Sequence, residues 1–182
     1  MINYNKVHHL GNLLGLLFIC IALTVAFIDQ ISAHDLPCPL CLLQRACFIA
    51  VGIMLGMNLY YGIKTSHYGF MLFAGFLGLA ISVRQLYLHI NFGDPGYGDE
   101  IFGLHFYAWA AICFIAILAA IASALILEKG FISINPIVIG WPEKAVIIVF
   151  ILLISANLFS TFFECGFTAC PDNPVSYELL RS

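Results

Sequence analysis

Five apolar runs divide the chain, at about residues 11–28, 41–61, 68–89, 106–127 and 145–163. Each is near the roughly 20 residues that cross a hydrocarbon core. In lipid the backbone must satisfy its own hydrogen bonds, and helices are the form open to segments of this length. The pattern predicts an all-α polytopic membrane bundle of about five transmembrane helices. The runs use more than half the chain, so residues 1–182 form a single integral membrane domain with no sizeable soluble part. Gly75, Gly78, Ala110, Ala111, Ala119 and Ala120 in the third and fourth runs would let helices approach closely. The first run follows a weakly basic start and precedes no small-x-small cleavage site, so it is expected to be a retained span.

The stretches between the runs are short. Residues 29–37 form one loop, and Lys64 to His67 a turn. Residues 91–105 form a loop rich in turn formers, followed by Phe106, Tyr107 and Trp109 as at a membrane interface. Glu128 to Lys144, with Pro136, Trp141 and Pro142, is expected to be irregular. Residues 164–182 form an emerging tail.

Composition agrees with this reading: 62% of residues are hydrophobic, 9% are charged and the mean hydropathy is +1.00. No basic patch points to nucleic acid. The four lysines (Lys6, Lys64, Lys129 and Lys144) fall on one side of the alternating spans, and most acids fall on the other. The positive-inside rule places the lysines and the N-terminus in the cytoplasm. The C-terminal tail then lies outside, where disulfides persist.

The seven cysteines sort by context. Cys20, Cys47 and Cys113 sit singly inside apolar runs, where cysteine behaves as a small hydrophobe. Cys38 and Cys41 form a C-x-x-C pair in Pro37-Cys38-Pro39-Leu40-Cys41, and Cys165 and Cys170 form a second pair in the tail. With an odd number of spans, both pairs share the outer face. Two dithiols there can exchange a disulfide by thiolate attack, one pair fixed at a helix start and the other in a Pro-containing tail that could swing. Cys41 is expected to be the thiolate, favoured by the helix N-terminus and by Arg45 one turn later. An arginine at a membrane edge is costly unless it has a role. Arg84, at the outer end of the third span, suits a headgroup contact or a ligand-binding network. His34, His89 and His105 lie near the same interface, His89 close to Arg84 and Gln85. Structural disulfide clips or a four-thiolate zinc site are the blander readings of the cysteines.

Cys38-Pro39-Leu40-Cys41 followed by Arg45 at the outer end of the second span resembles the DsbB family of membrane thiol oxidases. Arg84-Gln85-Leu86-Tyr87 and Ile101-Phe102-Gly103-Leu104-His105 are also similar. The resemblance implies a four-helix core, with one added span here. It implies re-oxidation of a periplasmic DsbA-like thioredoxin-fold protein, with electrons passing through Cys165/Cys170 and Cys38/Cys41 to a quinone, ubiquinone or menaquinone, in a bacterial inner membrane. Cys41 would face the quinone, Arg45 would hold it, and Arg84 and His89 would be further quinone-site residues. No metal is implied. In two respects the chain departs from the best-known members: the 91–105 loop holds no cysteine, and Gln44 stands where an acid precedes the arginine. Other readings are a non-catalytic scaffold with structural disulfides and a vitamin-K-epoxide-reductase-like quinone reductase, although in that family the C-x-x-C lies late in the chain.

Overall fold

A computed structural model describes residues 4–32, 36–91, 93–94, 96–98, 100–127 and 139–180. His34, Asp35, Asp99, Glu128, Lys129 and Pro136 lie outside the described residues. Five helices are long and apolar enough to cross a membrane. They are α1 (Tyr4–Ser32), α2 (Pro39–Tyr61), α3 (Thr65–Leu88), α4 (Phe106–Leu127) and α5 (Trp141–Cys165). A short hairpin, β1 (Glu100–Ile101) and β2 (Leu104–His105), precedes α4, and a 3-10 turn spans Glu178–Leu180. The chain is thus an all-α, multi-pass membrane bundle.

α1, α2, α3 and α5 begin before their apolar stretches, and α1 and α5 also end after them, whereas α4 coincides with its stretch. Hydropathy marks where the chain meets lipid, whereas helical hydrogen bonding continues into the interface. Trp141 and Pro142, expected in an irregular segment, instead open α5. A proline is tolerated in the first turn, where its missing N–H would have no partner in any case. At the other end α5 continues through Glu164 and Cys165, so Cys165 closes a helix and does not hang in a free tail.

Packing follows chain order. α2 lies against α1 and α3, α3 against α4, and α5 against α1 with a lesser contact to α2. Leu16, Ile19 and Leu23 of α1, Val51 of α2, Met71 of α3 and Phe114 of α4 are buried together. Phe48 stacks on Phe114 with ring centroids 4.2 Å apart. Three helix glycines make close approaches: a Cβ on Gly78 would overlap the Phe114 ring, one on Gly75 would meet Leu118 of α4, and one on Gly52 would overlap Phe150 of α5.

Polar side chains fix both ends of the bundle. At one end Asn58 donates to Asn12 (2.8 Å), His67 Nδ1 donates to Asn58 Oδ1 (2.7 Å), and His9 meets Glu143 (3.1 Å). Lys6, Lys64 and Lys144 lie at this end. At the other, Gln30 of α1 donates to Ser160 of α5 (2.7 Å) and to the Tyr177 hydroxyl of the tail (3.1 Å). The tail therefore folds back on the ends of α1 and α5. Its prolines were expected to free it, but Pro174 is buried and the Tyr177 bond ties it down.

Candidate active site

Pro37-Cys38-Pro39 shapes the start of α2. A residue before proline is pushed to extended backbone, and Cys38 has φ −63° and ψ 161°. That is N-cap geometry, and Pro39 takes the first helical position. The Cys38 sulfur does what a serine oxygen does in a cap: it accepts the Cys41 backbone N–H at 3.3 Å. The two sulfurs are 2.7 Å apart, closer than unbonded sulfurs ordinarily pack. Gln85 of α3, fully buried, donates to Cys38 Sγ (3.3 Å) and Cys41 Sγ (3.5 Å) and accepts from Gln44 (2.9 Å).

This geometry moves the charge from the expected sulfur. Cys38, not Cys41, occupies the cap. Hydrogen bonds from the Cys41 thiol, from the Cys41 and Leu40 N–H groups and from Gln85 bring the Cys38 thiol down to about 7 against the opposing effect of burial. In reduced protein, the ultraviolet thiolate absorbance that is lost on Cys38→Ser should rise through about pH 7 and not near 9. Because the folded-state value is depressed, this charge stabilises the reduced fold above the ordinary thiol range. The contribution is lost as pH falls through about 7. A step only near pH 9 would contradict the cap assignment.

Cys41, Gln44 and Arg45 line a cavity of about 370 Å3 whose other walls include Phe18 of α1, Phe106 of α4 and Phe102 of the hairpin. Arg45 is anchored by α1, donating to Gln30 Oε1 (2.6 Å) and to the Ala26 carbonyl (2.8 Å). These bonds engage two of its five N–H donors.

The second pair is a closed Cys165–Cys170 disulfide. Gly166, at φ 61°, turns the chain out of α5. Cys165 is buried, while Cys170 is partly exposed beside the exposed residues 167–169. Both cysteine pairs lie at the same end of the bundle, the end tied by Gln30. Glu164, beside Cys165, interacts electrostatically with both Arg45 and Cys38.

The other expected residues are not brought to the cavity wall. Arg84 is exposed on α3. His89 pairs with Asp94 (3.1 Å) and stacks on Tyr107, as does His105. The Gly96 N–H and then His89 hold the Asp94 carboxyl below its usual range. Gln85 and Gln30 were not singled out from the sequence, although Gln85 continues the buried α3 stripe of Met71, Gly75, Gly78 and Ser82. Among the described residues, no three His, Cys, Asp or Glu side chains converge as a metal site.

Residues 8–97, from α1 through the C-x-x-C helix to the loop after α3, match the family model described as "Disulfide bond formation protein DsbB". Over these residues the chain is similar to the DsbB family. The matched family is named for disulfide bond formation, and the chain shares with it a C-x-x-C helix in a multi-pass bundle. α4, α5 and the Cys165/Cys170 pair lie beyond the matched residues. No curated protein and no solved structure gives a significant match.

Proposed function

We propose that this DsbB-like protein is a thiol oxidase of a bacterial inner membrane. It re-oxidises a periplasmic DsbA-like thioredoxin-fold protein and passes the electrons through Cys165/Cys170 and then Cys38/Cys41 to a quinone of the membrane pool, ubiquinone or menaquinone. The observation that carries this reading is the placing of both cysteine pairs at one end of the bundle, with Cys41 and Arg45 on the wall of one cavity. The lysine-bearing end is cytoplasmic by the positive-inside rule. The N-terminus is then cytoplasmic and the C-terminal tail periplasmic.

The cavity fits a quinone in size and chemistry. Small-molecule sites occupy about 300–1,000 Å3, mostly apolar with a few polar groups, and here aromatic walls meet Arg45 and Gln44 beside a thiol. A bound quinone supplies a two-electron, two-proton acceptor. Arg45 holds positive charge where negative charge develops, and Gln44 with Gln85 keeps the two sulfurs in register.

The exchange runs through named sulfurs. The partner's thiolate attacks Cys170, the more exposed sulfur of the tail pair, and Cys165 leaves. The partner's second thiol then closes the partner disulfide and releases Cys170 as a thiol. Cys165 attacks Cys38, and Cys41 leaves with the bonding electrons next to Arg45. Cys170 displaces Cys38 from Cys165, which restores the tail disulfide and leaves Cys38/Cys41 reduced.

The test is the absorbance of a soluble ubiquinone or menaquinone analogue mixed with purified protein and a reduced thioredoxin-fold partner. One quinone should be consumed for each partner disulfide formed, and Cys38→Ser should stop both. No quinone loss in wild type would favour the scaffold reading.

A further inference from the structure

Glu164 is fully buried in the last turn of α5, and neither carboxylate oxygen has a hydrogen-bond donor among the described residues. Burying an unpaired carboxyl is costly, and such a group calls for a role. Arg45 does not supply the partner, because it donates to Gln30 and to the Ala26 carbonyl and no ion pair joins it to Glu164. The charged and titratable groups facing Glu164 are Arg45 of α2 and Cys38 before it. Asp29 of α1, Tyr177 of the tail and Cys41 act on Arg45 in turn. Glu164 is thus the chain neighbour of Cys165 in one pair and interacts electrostatically with Cys38 in the other.

The position of Cys165 creates a need for such a group. It ends α5, where the partial negative charge of a helix C-terminus opposes a thiolate. The relay nevertheless requires Cys165 to leave one disulfide and to attack another.

We propose that Glu164 is the proton carrier for Cys165 in the exchange between the two pairs, a role that rests on the relay described above. When the partner's thiolate attacks Cys170, the Cys165–Cys170 bond breaks and Cys165 departs with its electron pair. The Glu164 carboxyl protonates it. When Cys165 attacks Cys38, its S–H proton returns to the Glu164 carboxylate, the Cys165–Cys38 bond forms and the Cys38–Cys41 bond breaks with the electrons going to Cys41. Glu164 ends each cycle as it began. The two electrons from the partner rest on Cys38/Cys41, and the proton released by Cys170 follows them. No oxidant beyond the quinone is needed.

The experiment is single-turnover oxidation of a reduced thioredoxin-fold partner by the full-length, quinone-oxidised protein over a range of pH. It compares wild type, Glu164→Gln and Glu164→Asp. Wild type should give a bell-shaped pH dependence, because one carboxyl serves as acid in one step and base in the next. Glu164→Gln keeps size and hydrogen bonding but carries no proton. It should slow transfer on the order of a hundredfold and flatten the bell. Glu164→Asp keeps the carboxyl and should recover most of the rate with the bell intact. A Gln variant with the wild-type rate and profile overturns the proposal. So do Asp and Gln variants equally slow with wild-type-shaped profiles, since that pattern marks a packing role. Wild-type reduction of the quinone analogue by a small dithiol is followed in parallel. Its absence would remove the relay and the Glu164 role together, whereas its presence with a normal Gln variant removes only the latter.

Discussion

Cys41→Ser is expected to reduce quinone turnover to background and to accumulate a covalent Cys38–Cys165 linkage. Serine keeps the volume and can still donate a hydrogen bond to the Cys38 sulfur, and the Cys41 backbone N–H cap is unaffected. Cys38 therefore stays nucleophilic and attacks the tail disulfide at Cys165. The resolving sulfur on the cavity side is missing, so the mixed disulfide can be released only by reversal through Cys170. Alkylating the free Cys170 blocks that route. Non-reducing mass spectrometry of alkylated protein reads the linkage directly. A variant holding only Cys165–Cys170 and a free Cys38 would mean that the two pairs do not exchange.

Arg45→Met should lower kcat/KM for the quinone about tenfold to a hundredfold, the equivalent of a charged contact worth roughly 1.5–3 kcal/mol. The same change removes the bonds to Gln30 and Ala26, so some thermal stability is lost as well. Arg45→Lys separates the two effects. It keeps the charge at the cavity but loses the planar fork that spans Gln30 and the carbonyl. Steady-state kinetics against the quinone, measured beside thermal unfolding in detergent, decide the matter. A stability loss with unchanged quinone kinetics would make Arg45 a tie between α1 and α2 only.

The five spans were legible because lipid imposes one crude rule, a long apolar run. The helix ends were less so, since Trp141, Pro142, Glu164 and Cys165 are polar, bulky or conformationally special yet remain helical. The start of α2 could be read from Pro37-Cys38-Pro39. The charge was expected on Cys41 from its helix position and Arg45, whereas the N-cap geometry that Pro39 imposes on Cys38 favours charge on Cys38. In α3, attention went to Arg84, whereas the residue against the sulfurs is Gln85. The repeat of Met71, Gly75, Gly78, Ser82 and Gln85 carried that information. The Gln30–Arg45–Ser160–Tyr177 cluster and the setting of Glu164 join residues far apart in sequence. No local pattern encodes which polar groups of distant helices meet at one end of a bundle.

In the proposed relay, electrons reach Cys38/Cys41 through the tail pair. The most direct measurement is oxidation of a reduced thioredoxin-fold partner by the Cys165→Ser/Cys170→Ser double variant, beside quinone reduction by a small dithiol in the same preparation. The relay predicts that the small dithiol still reduces the quinone while partner oxidation falls to background. Partner oxidation at the wild-type rate would contradict it and leave Cys165–Cys170 as a structural clip.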